Sequence, residues 1–368
     1  MHRKDRVVAS RGPDSRATVP GVRLIERVVV LAMCSVLAGA TAIFAHAQSV
    51  SGNTDAKRAS ASNELHVMVW TATLPDHPTL LLVPTVHLLA ADDPRIDVAL
   101  GALADRVQAI VLEAPLKPTP AQAAAILRRY GMYPASDNLT NHVSGITAER
   151  LAQCARQSGH KVLFFFQLKP WLASLAAFYR RKTPDAAEPG GEVSLVDYPG
   201  IDLRLSSIAQ ARKMPLIYLE TDEQGLKVFS DVPPQAQEAM LIASCDGLTG
   251  VRVPGTADLR AMEAAWISGD AAQLDRLLTT RDPKESDALY AADQYIFRAN
   301  TEVFAAALAR YEYFHGRGPI LVAVGAGHFF GAASLLERLR AVGYTVIPPQ
   351  GATVTRHGTT PDVNHSSP

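Results

Sequence analysis

The chain has 368 residues, 36 Lys and Arg against 36 Asp and Glu, and three cysteines. Residues 1–47 hold seven of the basic and three of the acidic residues, which leaves 29 against 33 beyond them, a net charge near −4. That mildly acidic remainder has no basic block and no Cys-x-x-C, which argues against a nucleic-acid partner and against a zinc-ribbon or redox motif.

The first 27 residues carry Arg3, Lys4, Arg6, Arg11, Arg16, Arg23 and Arg27, and no charge follows from Val28 to Ala45. Ala45-His46-Ala47 then supplies a small-x-small cleavage pattern before Gln48. Residues 1–47 therefore read as a signal peptide, and the mature chain as periplasmic or secreted with no stable transmembrane span. A retained signal would instead anchor it. Residues 48–63 form a polar lead-in, 64–349 carry the apolar periodicity of one domain, and 350–368 make a tail expected to be disordered. Of the cysteines, Cys34 leaves with the signal. Cys154 and Cys245 remain, as a disulfide or as buried thiols.

Leu65–Thr71 and Thr79–Val86 read as paired strands across Leu74-Pro75-Asp76-His77-Pro78. A helix over 94–107 leads to a short apolar strand, Ala109–Leu112, which ends at Glu113. Residues 119–212 are mostly helical, over 121–130, 147–158, 171–181 and 202–212. They form a large insertion suited to a lid or pocket wall, with 184–200 as a covering loop. Pro215–Leu219 is a further buried strand, ending at Glu220. Helices follow over 233–245, 256–267, 271–278 and 286–313. The closing unit is strand 320–324, a histidine turn, helix 332–341 and strand 345–347, with a crossover that makes its two strands parallel. This alternation predicts an α/β fold: a central mixed, largely parallel sheet with flanking helices and the large helical insertion.

Four strand ends carry polar groups: His87, Glu113, Glu220 and His328. One such residue alone is ordinary, because strand ends border solvent. Four together point to a shared crevice at the edge of a parallel sheet, where carboxylate beside imidazole raises basicity or binds a metal. No His-Glu-x-x-His helix and no Gly-x-Ser-x-Gly elbow is present, and Gly325-x-Gly327-x-x-x-Gly331 lacks the spacing of a dinucleotide fingerprint.

Several segments together resemble the TraB/GumN family, related to the TIKI proteases and to the erythromycin esterase and ChaN-like proteins. Pro84-Thr85-Val86-His87 is similar to its Gly-Thr-x-His, with proline in place of glycine. Val322-Ala323-Val324-Gly325-Ala326-Gly327-His328 resembles its C-terminal signature. Glu113, Lys169-Pro170-Trp171, Gly200-Ile201-Asp202, Leu219-Glu220-Thr221 with Glu223-Gln224, and Ala265-Trp266 with Gly269-Asp270 follow in the family's order. Its late Arg-Asn pair is matched only by Arg298-Ala299-Asn300.

The resemblance implies a hydrolase that cleaves a peptide or related acyl bond in a peptide or small-molecule substrate. His87, Glu113, Glu220 and His328 would hold a divalent metal (Mn, Co or Zn) that activates water. In a metal-free form His87 would be the base and Glu113 its orienter, with His328 or Arg298 steadying the oxyanion. The alternatives are a non-catalytic ligand- or haem-binding protein, favoured by Pro84, and an accessory protein of the envelope or polysaccharide export.

Overall fold

Three apolar runs, Leu80–Thr85, Ala109–Leu112 and Ile320–Gly325, are buried at every residue in the computed structural model. Successive strand residues face opposite sides, so continuous burial means that both faces of the sheet are covered. The structure describes residues 65, 67–89, 93–115, 119–178, 198–248, 259–310 and 318–349. The expected signal peptide, lead-in, tail and residues 184–197 of the covering loop lie outside them.

In chain order the strands are β1 (Trp70–Thr73), β2 (Leu80–Thr85), β3 (Leu88–Leu89), β4 (Ala109–Leu112), β5 (Tyr198–Pro199), β6 (Leu216–Tyr218), β7 (Ile320–Gly325) and β8 (Thr345–Ile347). The helices are α1 (Pro94–Ala104), α2 (Pro120–Tyr130), α3 (Gly145–Gln157), α4 (Val162–Phe165), α5 (Pro170–Phe178), α6 (Ile201–Arg212), α7 (Asp222–Asp231), α8 (Pro234–Gly247), α9 (Leu259–Ser268), α10 (Ala271–Thr279), α11 (Asp287–Arg310) and α12 (Leu335–Ala341). Their starts are written locally. Thr119 with Gln122, and Thr221 with Gln224, form capping boxes, and Asp93, Ser144, Asp270 and Ser334 cap other N-termini.

The main sheet has the order β6-β4-β7-β2-β1-β8. β6, β4, β7 and β2 are parallel neighbours, and β1 runs antiparallel to both β2 and β8. The fold is therefore α/β with a mixed, mostly parallel sheet. β7 and β8 point the same way but are not neighbours, because β2 and β1 lie between them. Two strands differ from expectation. The first begins at Trp70 rather than Leu65, and β6 is an edge strand only half buried. An edge position leaves one ladder open and one flank wet, which apolar content alone does not reveal. Helix α7, unforeseen, occupies the segment after β6.

Two apolar cores divide the helices. The first surrounds the sheet and takes Ile96, Leu100, Ile201, Leu205, Met262, Trp266, Leu274, Phe304, Leu308, Leu335 and Leu339. The second is helical, built from Leu127, Leu151, Phe165, Trp171, Leu226, Phe229, Met240 and Leu241 with Leu289 and Ile296. α6, expected within the insertion, packs on the sheet instead, and α7 and α8 join the helical core. Helix α11 contributes to both cores, its first half to the helical one and its second to the sheet.

A disulfide joins Cys154 on α3 to Cys245 on α8, 91 positions apart, inside the helical core. Closing so long a loop restricts the unfolded chain. Reduction, or the Cys154→Ala/Cys245→Ala pair, is expected to lower unfolding free energy by about 2–4 kcal/mol in urea titration. An unchanged midpoint under reductant would mean that the link contributes nothing.

Candidate functional site

Because β6, β4, β7 and β2 are parallel and adjacent, their C-terminal ends open on one edge of the sheet. That edge carries Glu220, Glu113, the Gly325–His328 turn and His87 in that order. Thr85 is level with Gly325 in the β2–β7 ladder, so the chain segments that carry the two histidines leave the sheet from the same rung. With neighbouring strands about 4.8 Å apart, Glu220 begins about 14 Å across the sheet from the histidine of β2.

A second, two-rung ribbon fixes His87. Leu88 pairs with Pro199 and Leu89 with Tyr198, so α6 starts beside the β2 exit. The Ile201 N–H donates to the Val86 carbonyl at 3.0 Å. Gly200 lies so close that a Cβ there would sit 2.2 Å from the His87 carbonyl oxygen, a distance no side chain tolerates. The absent side chain lets the first turn of α6 carry Asp202 to His87, and Asp202 Oδ1 stands 2.7 Å from His87 Nδ1. Both residues are buried. The group that orients His87 is thus Asp202 rather than Glu113.

Gly325 does the equivalent on β7. Its N–H donates to Glu113 Oε1 at 2.5 Å. The point where a Cβ would stand lies 2.9 Å from His87 Nε2, 3.2 Å from Glu113 Oε1 and 3.6 Å from His328 Cδ2. One atom-sized position therefore touches all three side chains. His328 Nε2 is 3.6 Å from Glu113 Oε1, and its Nδ1 is 2.8 Å from the Thr301 hydroxyl on α11. Phe297 and Phe304 meet the His328 ring edge-on, with centroids 5.6 and 5.0 Å away.

Burial sets the charge states. It lowers His87 to about 3, with His328 adding to the effect, and lowers His328 to about 3. It raises Asp202 to about 7 and Glu220 to about 8, the latter helped by Asp222. Glu113 is pushed well up, first by burial and then by Glu220 and Asp202, against the Gly325 hydrogen bond. All five groups are driven toward their neutral forms.

Of the residues expected in the site, His87, Glu113 and His328 meet, and Glu220 lies alongside Glu113, whose carbonyl accepts from its N–H at 2.8 Å. Glu220 Oε2 has no hydrogen-bond partner among the described residues. Arg298 is elsewhere. Its side chain is 73% exposed and pairs with Glu302 on the outer face of α11, because helical periodicity turns it away from the face that carries Phe297 and Thr301. Asp202 and Thr301 were not foreseen as site residues. The Gly200-Ile201-Asp202 match carried a signal for the first, whereas nothing local marks Thr301. Among the described residues no group of three His, Cys, Asp or Glu side chains stands in a metal-holding arrangement.

The other matched segments are structural. Trp171 Nε1 donates to the Tyr130 carbonyl, Thr221 and Gln224 cap α7, and Gly269-Asp270 turns the chain into α10. Trp266 Nε1 donates to the Pro84 carbonyl at 2.7 Å. Pro84 keeps Val324 as its β7 partner and lies beyond Leu82, where the β1 ladder ends. Its missing N–H thus falls where β1 offers no pairing, and the strand accepts it.

Two outcomes follow. Gly200→Ala forces the His87 backbone away from α6 and is expected to destabilise by about 1–3 kcal/mol or more in urea titration; an unperturbed variant would contradict the close approach. The raised acids retain protons in the fold that the unfolded chain has lost above about pH 4, so stability falls as pH rises toward 7–8. The lowered histidines act oppositely, but only below about pH 6.5. Metal-free protein should therefore lose melting temperature between pH 6.5 and 8.5, and Glu220→Gln should flatten that slope.

The model of the TraB/PrgY/gumN family matches residues 68–348, which is most of the chain. No curated protein and no solved structure matches it. No helix among the described residues is long and apolar enough to cross a membrane. The match covers the sheet, the helical core and all the strand-end residues above: the chain belongs to the TraB/PrgY/gumN family.

Proposed function

We propose that the protein is an exported hydrolase that cleaves a peptide or related acyl bond at the His87–Glu113–His328 hollow. The observation that carries this reading is the single position beside Gly325 reached by His87, Glu113 and His328, with Asp202 behind His87. Buried, perturbed acids and imidazoles converging on one point are costly for stability, and such groups concentrate where chemistry is done. Export is supported by the charge and cleavage pattern of residues 1–47 and by the Cys154–Cys245 disulfide, a bond that persists in oxidising compartments.

The residues present fit a divalent ion by donor type. Two imidazoles and a carboxylate line the space a Cβ would fill, and each imidazole has its Nδ1 engaged by a residue behind it, as metal-binding histidines do. His87, His328 and Glu113 would hold such an ion, and when bound it would acidify a water and polarise the acyl carbonyl. Asp202 aims His87, and the Gly325 N–H aims Glu113. Glu220, raised to about 8 and without a partner at Oε2 among the described residues, lies on the same edge beside Glu113.

The test is turnover of a peptide and ester library with Mn²⁺, Co²⁺ or Zn²⁺, alongside calorimetry. Gly325 has ordinary φ and ψ of −53° and 139°, so Gly325→Ala strains no backbone, while its methyl, 2.9 Å from His87 Nε2 and 3.2 Å from Glu113 Oε1, pushes those side chains apart. Turnover and Co²⁺ binding should fall at least about 100-fold in that variant and in Glu113→Gln. No turnover with any ion in the native protein, together with Co²⁺ binding unaltered by Gly325→Ala, would remove the proposal.

A further inference from the structure

The Thr301 hydroxyl has one proton and two close neighbours. Its oxygen stands 2.6 Å from the Phe297 carbonyl oxygen, one helical turn back on α11, and 2.8 Å from His328 Nδ1. Two oxygens at 2.6 Å repel unless a proton lies between them, and a carbonyl has none to offer. The hydroxyl proton is therefore committed to Phe297. Toward His328 the same oxygen can only accept, so Nδ1 must carry the hydrogen. Burial keeps the ring neutral, and a neutral imidazole has one N–H. Nε2 is then bare, and it is Nε2 that faces Glu113 at 3.6 Å.

The same logic applies across the hollow. Whenever Asp202 is ionised it can only accept, so His87 Nδ1–H then donates to it and His87 Nε2 also turns a lone pair inward, 2.9 Å from the missing Cβ of Gly325. The two rings reach this state by different means, one through a carboxylate and the other through a hydroxyl that hands its own proton to the helix backbone.

We infer that Thr301 is a positioning residue that locks His328 in its Nδ1–H tautomer, so that His328 serves the site only as an electron-pair donor. A ring held this way cannot donate a hydrogen bond from Nε2 to an oxyanion. His328 can bind a cation or accept a proton, and the role of steadying negative charge falls to other groups. Phe297 and Phe304, packed against the ring edge-on, oppose the ring flip that would exchange the two nitrogens. The inference rests on the proposed function for its meaning, but not for its test.

The test is nitrogen-15 NMR of metal-free protein with labelled histidine, comparing native, Thr301→Ser and Thr301→Val, with Co²⁺ calorimetry on each. The expected native result is a protonated Nδ1 and an unprotonated, pyridine-like Nε2 for His328, retained in Thr301→Ser. Thr301→Val removes the hydroxyl acceptor and leaves the ring only its hydrogen bond to the Phe297 backbone, so a measurable share of rings should move to Nε2–H and Co²⁺ affinity should fall about 10- to 100-fold. A native spectrum with His328 protonated on Nε2 would overturn the inference even if Thr301→Val fails to fold. So would a folded Thr301→Val with native tautomer and native affinity. A locked tautomer in a protein that hydrolyses nothing would sustain this inference and sink the hydrolase reading alone.

Discussion

Between Leu80–Thr85 and Ile320–Gly325 the backbone ladder runs parallel for six rungs, and its last rung joins Thr85 to Gly325. Everything at the site is measured from that rung. A parallel pair brings both chain exits to the same edge, whereas an antiparallel pair would place His87 and His328 at opposite ends of the sheet. The six rungs are buried on both faces, so a one-residue slip in register would exchange the side chains packed on one face with those packed on the other and cost the packing of an entire strand. The hydrophobic demand of the core thereby sets the distance between two imidazoles.

Two glycines then make room for chemistry, in opposite senses. Gly200 is absent volume filled by backbone, since the His87 carbonyl occupies the space that a Cβ would need. Gly325 is absent volume left to side chains, the position that His87, Glu113 and His328 surround. The first lets a helix approach; the second lets three side chains close on one strand end. Neither glycine has the positive φ that is the usual reason for the residue, and both are needed for what a methyl would hit.

Helix α11 ties the two cores to this hollow. Leu289 and Ile296 lie in the helical core, Phe304 and Leu308 in the core around the sheet, and Phe297 and Thr301 fall between them against His328. Interiors pack at near-crystal density and do not deform smoothly, so a shift of the helical core along α11 would be felt at His328. The Cys154–Cys245 bond braces the helical core, away from the sheet edge. Five ionisable groups buried together make little sense as ballast, because burial pushes each toward its neutral form and taking it out of water costs stability.

Much of this was legible in the amino-acid order. Continuous apolar runs of four to six residues announced β2, β4 and β7, because a strand covered on both faces must be apolar at every position. His87, Glu113 and His328 were readable for the same reason, as the first polar groups after such runs. What the order alone could not supply was adjacency. That β8 joins β1 rather than β7, that β6 is an edge, and that α6 leaves the insertion for the sheet follow from which surfaces cover one another, a property of the whole chain. Asp202 reaches His87 across 115 positions and Thr301 reaches His328 across a helix crossing, and Arg298 points outward by the pitch of that same helix. Local sequence thus determined which side chains stand at the ends of the strands. Tertiary packing decided which nitrogen of each imidazole is left bare, because that depends on a partner contributed by a distant element.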